Sequence, residues 1–237
     1  MTTFSALTLT GKDAGKFLQG QLTINVHKLT PTPQACAIVN LKGRVLFGLW
    51  ASSSDAHTYT LITASDCVDA LQAHIKKYGA FSQFVSSVVS VYPAVVDGAP
   101  VFDSDERQAD FLAWAQASLE QGNYWITQAT QELFQPQELR LHQRGGVDYD
   151  KGCYLGQEIV ARLYFRASPK AYLHRVCLPA DLVVQAGDKL NKVHIVNAMP
   201  MTDGIHALVI GAPKDVADMA TILPLPAALQ RSVARET

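Results

Sequence analysis

The segment at residues 150–158, Asp-Lys-Gly-Cys-Tyr-Leu-Gly-Gln-Glu, holds the side chains with the clearest chemical potential in this chain. Cys153 follows Gly152 and lies two residues after Lys151, and Gly156 comes just before a predicted helix. Free N–H groups at the start of a helix and a nearby ammonium both stabilise a thiolate. Flanking glycines also allow a ligand to approach closely. Two interpretations remain open on spacing alone: Cys153 is a presented thiol, or it is a half-buried residue of a tight turn.

Three polar side chains follow the thiol on the predicted helix. The amide of Gln157 offers both a donor and an acceptor, which suits recognition of the edge of a heterocycle. Glu158 and Arg162 are four residues apart, so an exposed ion pair worth about 0.2–0.5 kcal/mol is the simpler interpretation. The sharper hypothesis is that Glu158 faces a ligand and that Arg162 orients it.

The positions of the remaining cysteines and histidines give no strong indication of a reactive or metal-binding site. Three cysteines lie in apolar runs, which predicts buried and inert thiols. They are Cys36, Cys67 and Cys177. The sequence contains neither a C-x-x-C pair nor an H-E-x-x-H pattern, so we predict no metal site and no redox pair. A Cys–His hydrolase that combines Cys153 with His142 or His174 is an alternative, although no protease signature surrounds these residues.

Composition narrows the classes of partner. The 237 residues carry 20 basic and 21 acidic side chains, giving a formal net charge of −1. A net charge this close to zero creates no long-range electrostatic attraction for a nucleic-acid backbone or an anionic membrane. We find no signal-peptide pattern and no apolar stretch long enough to span a bilayer. We therefore expect a cytoplasmic protein with no direct nucleic-acid partner and no membrane partner.

The first half of the chain alternates strand and helix patterns. Period-two alternation at residues 4–10 predicts a strand, and two apolar runs within 34–53, separated by Asn-Leu-Lys-Gly, predict a hairpin. Further strands are predicted at 58–63 and 84–91, helices at 12–20, 65–79 (with Ser65 as N-cap) and 106–121, and a connector at 93–105. This order predicts an α+β fold with antiparallel hairpins.

The last third of the chain has a different pattern. Residues 130–156 are rich in Gly, Pro and Gln, and a predicted helix at 157–164 ends before Ser168-Pro169. Short apolar runs at 173–178, 193–196 and 206–210 are separated by turn residues. This spacing predicts a small β-rich or barrel-like domain.

The octapeptide Lys-Gly-Cys-Tyr-Leu-Gly-Gln-Glu at 151–158 resembles the signature of the YgfZ family of folate-binding proteins. That family is related to the T-protein, the aminomethyltransferase of the glycine cleavage system. Other segments match in the family's order: FLQGQLT at 17–23, KGRV at 42–45, FQPQ at 134–137, GGV at 145–147, IVAR at 159–162 and FR at 165–166. The resemblance therefore covers most of the chain.

The resemblance implies a three-lobed α+β body of antiparallel sheets and helices around a central channel that binds tetrahydrofolate. Residues 1–165 would form this folate-binding region from discontinuous lobes, with a shortened middle lobe near 92–122 and the motif loop at 145–158. Residues 166–237 would form a C-terminal β-barrel-like domain. Tetrahydrofolate or another reduced folate is the implied cofactor.

The family likeness also assigns roles to residues. Cys153 would be essential, and Lys151 would keep its thiol ionised. Folate-contacting aromatics would fall at Phe4 and Trp114, although each could simply be a core residue. Further cofactor-binding positions would be Tyr154, Gly156, Gln157, Glu158 and Arg162.

The implied function is support of the synthesis or repair of iron–sulfur clusters, with a connection to tRNA modification. Partners would be a folate and iron–sulfur client enzymes or assembly proteins, and whether the protein is itself an enzyme stays open. The alternative is an aminomethyltransferase-like one-carbon transferase. The sequence argues against this alternative, because T-proteins carry an acidic side chain in the region where this chain has Leu46-Phe47-Gly48. Asn25 also replaces the family's usual Asp, and the connector from Tyr78 to Trp114 is short.

Overall fold

A six-stranded antiparallel sheet organises the first part of the chain. The computed structural model describes residues 2–234. The strands are β1 (Phe4–Thr10), β2 (Gln34–Val39), β3 (Val45–Asp55), β4 (Thr58–Ala64), β5 (Val85–Val96) and β6 (Ala99–Asp103). They pair in the order β2-β3-β4-β1-β5-β6. The predicted strand at 4–10 and the hairpin within 34–53 are confirmed.

Strand β1 separates two hydrophobic cores. Side chains alternate across a strand, so Phe4 and Ala6 point to one face while Leu7 and Leu9 point to the other. Phe4 and Ala6 belong to a core that reaches into the C-terminal part of the chain, whereas Leu7 and Leu9 belong to a second core. Both faces of β1 are therefore buried, although its alternating pattern predicts a half-buried strand.

Three helices cover these faces. They are α1 (Ala14–Gln19), α2 (Val68–Tyr78) and α3 (Phe111–Glu120). Leu18 of α1 and Leu71 of α2 pack in the second core, while Trp114 of α3 packs beside Phe4 in the first. The expected N-cap of α2 is wrong: Ser65 begins a short 3-10 turn instead, and its hydroxyl is 2.8 Å from that of Ser5.

The predicted connector at residues 93–105 is a β-hairpin. Asp97 and Gly98 have φ angles of 51° and 77°, the positive values that a tight two-residue hairpin turn requires. Pro93 and Pro100 favour a connector in the sequence, but proline is tolerated at sheet edges and β6 is the last strand of this sheet. The segment predicted to be a connector is thus ordered strand structure for most of its length, and the shortened middle lobe near 92–122 stays a prediction.

The C-terminal part forms a second antiparallel sheet. Its elements are α4 (Gln157–Arg166), β7 (Tyr172–Leu178), β8 (Lys189–Leu190), β9 (Val193–Met201), β10 (Gly204–Gly211), α5 (Pro213–Ala217), β11 (Thr221–Leu223) and α6 (Ala227–Gln230). The strands pair in the order β11-β7-β10-β9-β8. Leu173, Val196 and Leu208 from this sheet lie in the same core as Phe4. The β-rich pattern is confirmed, while the barrel-like form and the domain boundary at 165/166 stay predictions.

Within residues 2–234, no helix has the length and apolar character needed to cross a membrane.

Protonation of three largely buried histidines is expected to lower the stability of the folded protein in mild acid. Burial lowers the pKa of His74, His142 and His174 to about 4 each, with Lys77 or Arg140 adding to the effect. The unfolded chain binds these protons at higher pH than the native protein does, so protonation favours unfolding as pH falls from about 6.5 towards 4. The loss is about 1.4 kcal/mol per pKa unit for each group.

Urea unfolding at pH 7.5 and pH 5 measures this effect. We expect a lower midpoint at pH 5 in the wild type and a smaller drop in His74→Gln. The matched control is His27→Gln, because His27 is exposed. An unfolding free energy that stays constant across this pH interval would contradict the prediction.

Candidate functional site

The part of the motif loop at residues 150–156 is fixed by contacts with two distant segments. The backbone N–H of Leu155 donates to the carbonyl oxygen of Gly20 at 3.1 Å. Gly156 has a φ of 75°, and a Cβ at this position would lie 2.3 Å from the carbonyl oxygen of Asn40. Only glycine meets both demands without strain. Gly156 therefore lets the loop pack against the β2–β3 turn before α4 begins.

Cys153 lies exposed on this loop. The exposure agrees with a presented thiol rather than a half-buried turn residue, and the chemistry of the thiol stays a prediction. Cys36 and Cys67 are buried as expected, and burial raises the pKa of Cys36 to about 12 and that of Cys67 still further. Cys177 is only partly buried, so its predicted place in the core is wrong.

Lys151 is buried and ties the motif loop to the α1 region. Its Nζ donates to the carbonyl oxygens of Gln19 at 2.7 Å and Leu22 at 2.5 Å, and it lies 4.8 Å from the ring centroid of Tyr154. Burial lowers the pKa of Lys151 to about 8, partly offset by Cys36 and Asp148. These contacts give Lys151 a structural role, and its predicted effect on Cys153 stays a prediction.

The other motif side chains divide into buried and exposed groups. Tyr154 is buried, and its N–H donates to Oε1 of Gln157 at 3.2 Å. The amide oxygen of Gln157 therefore already accepts a hydrogen bond from a neighbouring residue of the motif loop. Glu158 and Arg162 are exposed on α4, and they form no ion pair with each other in the described part of the chain. The simpler interpretation of that pair is therefore wrong.

The two aromatic residues predicted to contact folate lie side by side. The ring centroids of Phe4 and Trp114 are 4.9 Å apart. Trp50 of β3 and Phe102 of β6 complete the group, which we call the aromatic cluster. Phe4 and Trp114 are buried, as the core interpretation also requires. The sequence analysis missed Trp50, although it faces the same side of the sheet as Phe4, and missed Phe102 because its strand was predicted to be a connector.

A cavity of about 430 Å³ opens beside the aromatic cluster, and we call it the aromatic cavity. Its lining residues are Pro31, Thr32, Pro33, Trp50, Pro100, Val101, Phe102, Trp114, Ser118 and Asn123. Two of its polar atoms, Nε1 of Trp114 and Oγ of Ser118, are buried and have no hydrogen-bond partner among residues 2–234. Buried polar groups are normally satisfied, so two such unpaired atoms on residues that line one cavity are unusual.

Arg144 lies next to the aromatic cavity. It lines an adjoining surface cavity of about 720 Å³ that shares Trp50, Pro100 and Asn123 with the aromatic cavity. The Arg144 guanidinium lies 5.1 Å from the ring centroid of Tyr124 and donates to Oδ1 of Asn123 at 2.5 Å. It forms no ion pair with any carboxylate in residues 2–234. Burial lowers its pKa, an effect that Tyr124 opposes. The arrangement suits an incoming anionic group.

The motif residues lie outside the aromatic cavity, because none of residues 151–162 lines it. A separate cavity of about 770 Å³ includes Gln19, whose carbonyl holds Lys151, together with Lys12, Lys16 and Tyr59. The structure therefore brings Phe4 and Trp114 together and places the other predicted positions outside the aromatic cavity, namely Tyr154, Gly156, Gln157, Glu158 and Arg162. A role for these five residues in cofactor binding stays a prediction.

Asn25 retains a local role that the family's aspartate could also fill. Its Oδ1 accepts a hydrogen bond from the N–H of His27 at 3.1 Å and caps a short 3-10 turn. A carboxylate oxygen would accept the same bond. Either side chain therefore serves this cap, so the substitution leaves the local turn unchanged.

The antiparallel α+β body shares its fold with a solved aminomethyltransferase. The solved structure of glycine cleavage system aminomethyltransferase T from Bartonella henselae superposes with a TM-score of 0.63 at 11% sequence identity. The match covers 88% of this chain and 76% of that protein. At this identity the likeness shows the fold alone. No family model matches the chain.

Sequence relatives identify the group more closely. The chain is 28% identical to the tRNA-modifying protein YgfZ of Pectobacterium carotovorum subsp. carotovorum (strain PC1), over 77% of this chain and 71% of that protein. The tRNA-modifying protein YgfZ of Klebsiella pneumoniae (strain 342) is 27% identical over 77% and 72%. The protein is a relative of these YgfZ proteins, and the resemblance predicted from the motif is confirmed.

Proposed function

We propose that this protein binds a reduced folate, such as tetrahydrofolate, and supports the synthesis or repair of iron–sulfur clusters in client enzymes. Its relatives are named tRNA-modifying proteins, so we propose that its clients include enzymes of tRNA modification. The observation that carries the proposal is the aromatic cavity, with buried polar atoms that lack partners and with Arg144 beside it.

The residues present fit a folate in size and chemistry. A volume of about 430 Å³ is within the usual range for small-molecule sites, and aromatic walls suit a flat pterin ring. Nε1 of Trp114 and Oγ of Ser118 would hydrogen-bond the polar edge of the ring. Arg144 would hold a carboxylate of the glutamate tail, since a guanidinium pairs well with such a group. A bound folate would supply the capacity to carry a one-carbon unit.

Cys153 would act on the protein surface. Its exposed thiol can meet a client protein or a cluster intermediate without rearrangement of the core. The buried ammonium of Lys151 would hold the loop in place through its bonds to Gln19 and Leu22. The metal cluster itself belongs to the client in this proposal.

We do not favour aminomethyl transfer for this chain. T-proteins carry an acidic group in the region where this chain has Phe47 and Gly48. Phe47 is buried, and a Cβ added at Gly48 would lie 2.6 Å from the side chain of Ile126. There is therefore no room for a carboxylate at Gly48. We expect no turnover with a lipoyl-carrier aminomethyl donor, and turnover would favour the transferase alternative.

Calorimetry with tetrahydrofolate tests the proposal directly. We expect saturable binding to the wild type and about 10- to 100-fold weaker binding to Arg144→Met, because a hydrogen bond to a charged group contributes about 1.5–3 kcal/mol. Arg166→Met is the matched control, since Arg166 is exposed on α4. A wild type that binds no reduced folate would remove the main support for the proposal.

A complementation assay in cells tests the role of the Cys153 thiol. In cells that lack the endogenous factor, we expect the wild type, but neither Cys153→Ala nor Cys153→Ser, to restore the activity of iron–sulfur enzymes. Equal levels of folded protein should first be established for the three chains. Full rescue by Cys153→Ala would show that the motif cysteine does not act chemically.

A further inference from the structure

A second group of reactive side chains lies on the C-terminal sheet. Cys177 of β7 pairs directly with His206 of β10 in the antiparallel register, so both side chains emerge on the same face. Asp203 lies in the turn between β9 and β10, with Oδ1 3.0 Å from Nε2 of His206. One donor atom from each of the three residues lies within 4.8 Å of the other two. None of the three residues lines the aromatic cavity.

Gly204 keeps this cluster open. Its φ is 145°, and a Cβ at this position would lie 2.8 Å from Sγ of Cys177 and 2.6 Å from the carbonyl oxygen of Leu178. Any other residue would therefore crowd the sulfur. The side chain of His206 is 13% exposed and that of Asp203 is 64% exposed. Two donors are thus held by the sheet, and the third lies on the solvent side.

Among residues 2–234, the sulfur atom of Cys177 has only weak hydrogen-bond partners. Sγ of Cys177 lies 3.6 Å from the backbone carbonyl oxygen of Asp203 and 3.8 Å from that of Leu178. A thiol is a weak donor, so these contacts do not compete strongly with a metal ion. The hydrogen bond between His206 and Asp203 is also replaceable, because a cation between the two groups would contact both.

We propose that Cys177, Asp203 and His206 form a binding site for a divalent transition-metal ion, with Zn²⁺ as the best match. Thiolate, imidazole and carboxylate are the donors that Zn²⁺ accepts, whereas Ca²⁺ and Mg²⁺ prefer oxygen atoms alone. Three protein donors would leave the fourth tetrahedral position open to an external ligand. Binding converts the thiol to a thiolate and releases its proton to solvent.

Such a site would connect β7 to the β9–β10 turn. These segments are adjacent in the sheet but distant in sequence, so a bound ion would stabilise the native pairing. The sequence analysis predicts no metal site, because Cys177 and His206 match no ligand-spacing pattern. Only the strand register brings them together.

Titration of the full chain with Co²⁺ under reducing conditions tests this proposal. Co²⁺ is a spectroscopic substitute for Zn²⁺, and a thiolate ligand gives it a charge-transfer band in the near ultraviolet. We expect saturation at one ion per chain, and binding weaker by on the order of ten-fold or more in Cys177→Ser and His206→Gln. Cys153→Ser controls for the exposed motif thiol and should retain the band.

A second variant separates metal binding from misfolding. Asp203 is exposed, so Asp203→Asn should fold normally and still weaken Co²⁺ binding. Zn²⁺ should also raise the melting temperature of the wild type and of Cys153→Ser but not that of Cys177→Ser. The proposal is overturned if the wild type shows no saturable uptake, if the band survives in Cys177→Ser, or if it is lost in Cys153→Ser.

Discussion

Trp114→Ala is expected to lower the free energy of unfolding by about 3–5 kcal/mol, the usual cost of deleting a buried aromatic side chain. Trp114 is 1% exposed, and its ring centroid lies 4.9 Å from that of Phe4, 5.2 Å from Trp125 and 5.4 Å from Phe102. The substitution removes these contacts and leaves a void between α3 and the first sheet. Urea unfolding followed by circular dichroism measures the loss.

The same helix provides the matched control for this prediction. Leu112 is 61% exposed, so Leu112→Ala should change the unfolding free energy by about 0.5 kcal/mol or less. Similar losses in the two variants would mean that α3 does not pack as described. The effect of Trp114 would then be unrelated to its position in the core.

Trp114→Phe separates packing from ligand binding. Phenylalanine keeps much of the ring contact but removes Nε1, which has no protein partner in the described chain. We therefore expect a smaller stability loss than in Trp114→Ala. If Nε1 serves a bound folate, the affinity measured by calorimetry should still fall clearly. An unchanged affinity would restrict Trp114 to a packing role.

Gly156→Ala is expected to destabilise the protein by about 1–3 kcal/mol and to displace the motif loop. The φ of 75° is unfavourable for alanine, and its Cβ would lie 2.3 Å from the carbonyl oxygen of Asn40. Strain and overlap act in the same direction, so the loop must move away from the β2–β3 turn. Urea unfolding measures the energy, and limited proteolysis reports the displacement.

Gly152→Ala is the control on the same loop. A Cβ at this position meets no atom within 4 Å, so we expect a stability change of about 0.5 kcal/mol or less. The two glycines lie on either side of Cys153, but only Gly156 has a positive φ and a close backbone neighbour. Equal effects of the two substitutions would show that Gly156 is not held against Asn40.

The motif loop and the aromatic cavity share one core although they do not share lining residues. Tyr154 and Val160 belong to the same continuous hydrophobic core as Phe4 and Trp114. The position of the loop therefore depends on the same packing that forms the cavity wall. A buried core transmits such constraints because its atoms are closely packed. The proposed ligand site and the loop that carries Cys153 are therefore packed against the same set of core side chains.

Local structure is what the sequence by itself determined. Period-two alternation specified β1, the turn residues specified the β2–β3 hairpin, and apolar surroundings placed Cys36 and Cys67 inside. These features depend on neighbours within a few residues, which a pattern can represent. The octapeptide around Cys153 also indicated the YgfZ relatives, because its order of residues is specific.

Only the tertiary structure decided which distant residues meet. Lys151 bonds to carbonyls 129 and 132 residues away, and Cys177 meets His206 through the register of two strands. Trp50 joins Trp114 in the same way, through a sheet and a helix from separate parts of the chain. Periodicity tells which face of an element is apolar, but it contains no information on which face of another element will cover it. The aromatic cavity and the Cys177 cluster are consequences of that packing.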